Sequence, residues 1–226
     1  MSFSGPPTLT SAQVKELDRL AQERFGVPVD SLMEAAGAAV WRFCDRPAAV
    51  VCGAGNNGGD GLVCARHLHE SGLLASVSCI DVTRLKGPAA RALDALSKAG
   101  VKVLDDLQLD GAELVVDAIF GVGLSRPPQG RFAEWIDAIN ASGKRVIAVD
   151  VPSGLDADTG VAYSPCVRAD LTITLGLPKR GLLLADGPKL AGQIWIGDIG
   201  IPRGAYELLG IDVSDSFFGQ ASAIRL

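Results

Sequence analysis

The chain has 226 residues, 48% of them hydrophobic and 21% charged, with a formal net charge of −5. That length suits one sizeable α/β domain, residues 1–226, and the negative balance excludes a general nucleic-acid surface. Five cysteines (44, 52, 64, 79 and 166) without C-x-x-C spacing, no signal peptide and no apolar run of membrane-spanning length point to a cytoplasmic protein whose thiols are small buried hydrophobes.

Residues 1–10 read as a loose leader. Ser11 caps a helix with Val14, Leu17, Leu20 and Ala21 on one face, ended by Gly26 and Pro28. Asp30 caps a second helix, about Ser31 to Phe43, whose Ala- and Gly-rich middle suits close packing, against another subunit among the options. A buried strand over 48–52 leads through a glycine loop to a helix at roughly 60–71. A strand at 74–80, a helix at 88–99, strands at 101–104 and 113–117, a helix at 131–141 and a strand at 145–150 follow. Such alternation predicts a mainly parallel sheet with helices on both faces. Two late strands, 171–175 and 193–196, have no helical pattern between them and are expected to extend one edge, an antiparallel arrangement being open.

The loop Gly53 to Gly61 carries the most information. Residues 53–58 satisfy G-x-G-x-x-G, the turn that brings a phosphate to a helix N-terminus, and Asp81 falls near the place of a ribose-binding acid. Alone the pattern is weak, since tight strand-to-helix turns need glycine anyway. Asn56, Asn57 and Asp60 add side-chain oxygens that a plain turn does not require. Asp60 taken singly fits an ordinary N-terminal helix acid. Asp117 and Asp150 each end a predicted strand, and ligands of open parallel sheets bind beyond the carboxyl ends of the strands. If strands 48–52, 113–117 and 145–150 are parallel neighbours, Asn57, Asp117 and Asp150 meet at one crevice. The turn Pro152-Ser153-Gly154 presents a hydroxyl. His67 and His69 are the only histidines and share no helix face, so no Ser–His–Asp triad forms and Ser153 is read as a ligand or cation contact. Asn57, Asp117 and Ser153 offer oxygens to one hard cation, a monovalent ion being at least as reasonable as Mg2+.

These motifs resemble a known family. Residues 53–68 (Gly53 through Asp60 to Leu68), Asp117 to Gly123, Asp150 to Gly160, Ala169 to Leu184 and Asp198 to Pro202 are similar to the hallmarks of the YjeF N-terminal domain family, over about Ser11 to Pro202. The resemblance implies a three-layer α/β/α Rossmann-like fold with a mainly parallel sheet, commonly homodimeric. It implies an NAD(P)H-hydrate epimerase, which interconverts the R and S forms of hydrated NADH and NADPH so that an S-specific dehydratase can restore the cofactor. It implies one K+ held by Asn57, Asp117 and Ser153. Substrate contacts are implied for Asn56, Asn57, Gly58, Gly59 and Asp60, for Gly121, Val122, Gly123, Leu124, Ser125, Arg126 and Pro127, and for Asp150. Arg126-Pro127-Pro128 is this chain's own departure in a variable loop. A kinase-like dehydratase domain follows in many bacterial members; none is expected within these 226 residues, so a separate dehydratase is the expected functional partner unless the sequence is part of a longer chain.

Epimerisation needs a group that gives and retakes a proton at the C6 hydroxyl. Asp150 is the first candidate from its strand-end position, Asp60 the second. Lys179 reads equally as a phosphate partner or a solvated cation. Two rival classes stand beside the enzyme: a non-catalytic nucleotide-binding scaffold of the same fold, and a nicotinamide oxidoreductase. The first is expected to lose part of the polar set, and the second lacks an acid or base placed by a dehydrogenase-type motif.

Overall fold

The computed structural model describes residues 7–213 and 223–226. Residues 1–6 of the expected leader lie outside them. The rest of that leader is not loose: Leu9 is 2% exposed and pairs with Lys179, its N–H donating to the Pro178 carbonyl. Thr10, not Ser11, caps the first helix, α1 (Ser11–Glu23). Its hydroxyl accepts from the Gln13 N–H, while the Gln13 side chain reaches back to the Thr10 N–H, a capping box.

The second helix, α2 (Val29–Trp41), starts from Pro28, whose fixed φ suits a helix entry. Asp30 lies in its first turn and pairs with Arg91 rather than capping. The elements after it are β1 (Ala48–Cys52), α3 (Asn56–Glu70), β2 (Leu74–Cys79), α4 (Gly87–Lys98), β3 (Leu114–Ala118), α5 (Arg131–Ala141) and β4 (Arg145–Val149). Then come β5 (Leu171–Leu175), α6 (Gly187–Leu190), β6 (Gln193–Gly197), α7 (Arg203–Leu208) and β7 (Ala223–Arg225).

The strands form one sheet in the order β2-β1-β3-β4-β5-β6-β7. All neighbours are parallel except β6 and β7, so β6 is parallel and the antiparallel edge belongs to β7, beyond the predicted strands. Consecutive residues of a strand face opposite sides. Val50, Val116 and Ile147 join α2, α3 and α4 on one side, while Val51, Val115 and Ala148 pack with Trp135, Ile136 and Ile139 of α5 on the other. Residues 101–104 make no strand. Leu104 alone bridges to Ser78, and the exposed Asp105 and Asp106 that follow leave this sheet edge charged.

Between β5 and β6, where no helix was expected, lie a 3-10 turn at Arg180–Leu183 and the short α6. The larger discrepancy is α3, which begins at Asn56 rather than near residue 60. Glycine disfavours helix by about 1 kcal/mol per residue, so the run reads as a loop. Packing overrides propensity: a Cβ on Gly58 would lie 1.8 Å from the Gly53 carbonyl oxygen, and one on Gly61 would lie 2.5 Å from the Ala118 side chain. The small residues of α2 serve the same seam. A Cβ on Gly37 would meet Val63 at 2.5 Å, so the close packing is within the chain, onto α3.

Gly58→Ala should therefore destabilise the protein by about 2–3 kcal/mol, lowering the melting temperature by roughly 4–12 °C. Gly55→Ala, where a Cβ meets no atom within 4 Å, should shift it by no more than about 2 °C. Calorimetry of the two variants checks both.

Candidate active-site cleft

The sheet order reverses between β1 and β3, because β2 lies on one side of β1 and every later strand on the other. Ligands of open α/β sheets bind at such a switch point. A cleft of about 890 Å³ opens there. Asn56, Asn57 and Asp60 line it from α3, Gly121 to Pro127 from the loop after β3, and Asp150 from the end of β4. Strands β1, β3 and β4 are parallel neighbours, so Asn57, Asp117 and Asp150 do emerge at one end of the sheet.

Gly58 and Gly59 are not part of the cleft wall. They are buried beneath it, Gly58 over Gly53 and Gly59 against Met33 and Ala89. Asp60 is not at the mouth of α3 either. It stands in the second turn and faces the cleft, where its carboxyl takes no hydrogen bond from the described residues. Asp81 sits at φ 57 beside the 3-10 turn Val82–Arg84, bonded to Thr83. It lines a neighbouring hollow that shares Gln129 and Phe132 with the main cleft.

Asp117 and Ser153 are fully buried behind the cleft and tied together. The Ser153 hydroxyl donates to Asp117 Oδ1 at 2.6 Å, the Ser153 N–H donates to Oδ2 at 2.8 Å, and the Ile119 N–H donates to Oδ1 at 3.2 Å. The Phe120 N–H in turn donates to Ser153 Oγ at 2.8 Å, so the seryl oxygen is a structural hub and no nucleophile. Burial pushes the Asp117 carboxyl up to about 6, against the pull of those three donors. Asn57 abuts Gly121, and its buried Nδ2 has no hydrogen-bond partner. The amide's N and O are interchangeable by a flip, so this orphaned position suits an oxygen awaiting a cation as well as it suits a nitrogen. The oxygens of Asn57, Asp117 and Ser153, one carboxylate among neutral donors, fit a singly charged ion better than a divalent one.

Asp150 adopts φ 68, a left-handed conformation costly for a non-glycine residue. The turn aims its carboxylate at Lys179, whose Nζ lies 2.5 Å from Oδ1. The Leu175 N–H donates to the same oxygen at 3.1 Å. Lys179 is 1% exposed and also donates to the Leu175 carbonyl, so it is a buried ion-pair partner and not a solvated cation.

Beside this pair stands Asp18 of α1, a residue not singled out from sequence. Burial pushes its carboxyl up to about 6, with Lys179 opposing and Asp150 adding to the rise. Asp60 is held well above the ordinary carboxylate range, first by burial and then by Asp150 and Asp18. It retains some accessible surface because it looks into the cleft, yet protein surrounds it on the other sides. The sequence did hold a signal for Asp18. It lies four residues after Val14 and three before Ala21, a carboxylate on the apolar stripe of an amphipathic helix.

The model of the YjeF-related protein N-terminus matches residues 29–181, about two thirds of the chain. The chain belongs to that family. It is 36% identical over 229 residues to an NAD(P)H-hydrate epimerase of Dehalogenimonas lykanthroporepellens, covering 96% of this chain and 92% of that protein. It is 43% identical over 212 residues to a bifunctional NAD(P)H-hydrate repair enzyme of Thermofilum pendens, covering 87% of this chain and 40% of the relative. The chain thus spans about two fifths of the length of that bifunctional relative. The crystal structure of yeast ynu0, YNL200c, superposes with a TM-score of 0.79 at 25% identity, over 97% of this chain and all of the yeast one. The family match includes Asn57, Asp60, Asp117, Asp150, Ser153 and Lys179, whereas Asp18 precedes it.

Two outcomes follow from the site's electrostatics. Ser153→Ala leaves the Phe120 N–H unpaired and strips a donor from Asp117. It should cost about 1–3 kcal/mol in a denaturant titration. Asp18 and Asp117 both bind a proton more tightly folded than unfolded, so their contribution to stability is full below about pH 4 and is lost as pH rises through about 6. Asp18→Asn removes one of these losses. Its melting temperature should match wild type near pH 4 and exceed it by roughly 3–8 °C at pH 8 in ligand-free protein.

Proposed function

We propose that this protein is an NAD(P)H-hydrate epimerase, acting on hydrated NADH and NADPH. The observation that carries the reading is that Asn57, Asp60 and Asp150 line one switch-point cleft with the Asp117–Ser153 pair buried behind it, in a chain similar over nearly its whole length to a relative of that name. A cleft of about 890 Å³ lies at the upper end of the range for small-molecule sites, in keeping with a dinucleotide. The start of α3 has no side-chain cap, which leaves its first N–H groups for the pyrophosphate.

At the nicotinamide, the C6–O bond breaks when an acid passes its proton to the hydroxyl. The bonding pair leaves with water, and the ring nitrogen lone pair forms the C=N bond of a cation. Water adds at C6 from the other face and gives up a proton, which inverts the centre. From its strand end, Asp150 was the first choice for both transfers, with Asp60 second. Hydrogen bonding favours dividing them. Asp150 accepts from Lys179 and the Leu175 N–H through Oδ1, which orients it to receive the proton of the incoming water. Asp60, which takes no hydrogen bond from the described residues and is raised by burial and then by its neighbouring carboxylates, suits the acid. Reversal exchanges the two roles.

One K+ per subunit belongs to the same reading, held by Asn57, Asp117 and Ser153. It supplies positive charge beside the glycine loop for an anionic substrate that the protein's net charge of −5 would otherwise repel. Substrate contacts then fall to Asn56, Asn57, Asp60, Asp150 and the loop Gly121 to Pro127, with Gly58 and Gly59 contributing backbone alone. We place the protein in the cytoplasm as a homodimer, coupled to a dehydratase activity like that implied by the bifunctional relatives. No helix among the described residues is long and apolar enough to cross a membrane.

The test is to add the protein to one purified epimer of hydrated NADH and follow the other by chromatography. The ratio should equilibrate far faster than it does spontaneously. Asp150→Ala should slow this roughly 10²–10⁴-fold with nucleotide binding still measurable, and exchange of potassium for choline should slow it as well. An epimer ratio that drifts only at the spontaneous rate would leave the non-catalytic scaffold as the better reading.

A further inference from the structure

Helix α1 precedes the stretch that carries the family motifs, yet it is fastened to the most buried cation of the site. The Leu9 N–H donates to the Pro178 carbonyl at 2.8 Å and the Arg180 N–H donates to the Leu9 carbonyl at 2.9 Å, so the chain entering α1 grips both neighbours of Lys179. The Ser11 N–H donates to Asp158 at 2.6 Å, and Arg180 Nε donates to the Asp158 carbonyl at 3.0 Å. Leu17, Leu20 and Ala21 are buried against Ile201, Ala205 and Tyr206. The position of Asp18 relative to Lys179 is thereby set from both ends of its helix.

The cleft floor then holds three carboxyl groups and one buried ammonium. Asp150 and the Leu175 carbonyl engage that ammonium at 2.5 and 2.6 Å. Asp18 and Asp60 take no hydrogen bond from the described residues through their carboxyls. Full ionisation would leave a surplus of negative charge in a site walled by Leu17, Leu32, Met33 and Ile201. The other charged or titratable groups that share the cleft with Asp18 are Lys15 of its own helix, Arg84, Arg126 of the loop after β3, and, packed against α1, the Tyr206 hydroxyl of α7. These three cations are exposed on long side chains, so their charge is shared with solvent.

We propose that Asp18 is a positioning residue for the epimerisation: its charge, held on the wall of the cleft that Asp60 also lines, keeps on Asp60 the proton that the C6 hydroxyl must receive. The inference rests on the epimerase reading. A carboxylate beside a second carboxylate raises that partner's hold on a proton, and one bound proton shared by two such groups is the usual resolution of a like-charge pair. Asp18 need not touch the substrate to do this.

The experiment follows the Asp60 carboxyl by 13C NMR in ligand-free wild type, Asp18→Asn and Asp18→Glu, with Asp60→Asn used to assign the resonance. Asp18→Asn should lower the Asp60 midpoint by about one pH unit, a tenfold loss of proton affinity, and Asp18→Glu should restore most of it. In the epimer assay the alkaline fall of kcat should move to lower pH by a similar interval in Asp18→Asn, with KM changed less than about twofold. An Asp60 midpoint that is the same in wild type and in folded Asp18→Asn overturns the proposal. So does a loss of kcat that is uniform across pH or is not rescued by glutamate. Because the NMR arm needs no substrate, a protein that proves inactive on hydrated NADH overturns the epimerase reading without deciding the Asp18–Asp60 coupling, which that arm reads alone.

Discussion

The buried pair between Lys179 and Asp150 is the constraint on which the rest of the site depends. An ammonium with 1% exposure is tolerated only when paired and hydrogen-bonded, and Asp150 Oδ1 and the Leu175 carbonyl meet that need. To reach it, the chain leaves β4 through a residue at φ 68, a departure from ordinary backbone geometry that costs on the order of 1–3 kcal/mol. A folded protein bears such a cost where surrounding contacts fix the strained residue, and here these include the Leu175 N–H and the Asp150 N–H donating to the Ile173 carbonyl. The pair ties the ends of β4 and β5 together and fixes a deeply buried positive charge against which Asp60 and Asp18 are set.

A second knot, Asp117 with Ser153, does the same for β3 and the turn after β4. Three hydrogen bonds converge on a fully buried carboxylate, and the Phe120 N–H extends the chain into the loop that walls the cleft. The orphaned amide of Asn57 lies against that loop. Both knots thus join strand ends through polar side chains within a hydrophobic sheet, where an unmet donor or acceptor is expensive. The strand-end polar residues are costly as structure alone, which is why their joint presence weighs toward function.

Much of this was legible in the chain. Apolar runs ending in Asp117 and Asp150 marked parallel strands, and the sheet order makes them neighbours, with Asp150 lining the cleft and Asp117 buried behind it. What was not legible has physical causes. The start of α3 was hidden because Gly58, Gly59 and Gly61 disfavour helix locally, and only contacts with Gly53, Met33 and Ala118 make them necessary. Residues 101–104 alternate like a strand, but edge pairing stops at Leu104. Residues 193–196 could not reveal direction, since a parallel strand needs a crossover and the short turns of 180–190 do not announce one. Asp18 was passed over because its helix is amphipathic by its other residues, and the burial of one carboxylate on the apolar stripe depends on α7 and Lys179, far away in the chain.

The glycine loop illustrates how one pattern can serve two chemistries. Gly53, Gly55 and Gly58 match a dinucleotide fingerprint, and Gly58 packs on the strand exit as the third glycine of such a fingerprint does. The difference lies one turn further on. Here Asp60 looks into the cleft beside the place proposed for the pyrophosphate, in a chain of net charge −5. An ionised Asp60 would repel the ligand that the loop is shaped to hold. A protonated Asp60 removes the repulsion and becomes a hydrogen-bond donor, so the feature that suits it to the proposed role of acid also suits it to an anionic dinucleotide. On the proposed reading, the burial and neighbouring carboxylates that favour the proton on Asp60 serve substrate binding as well as proton transfer.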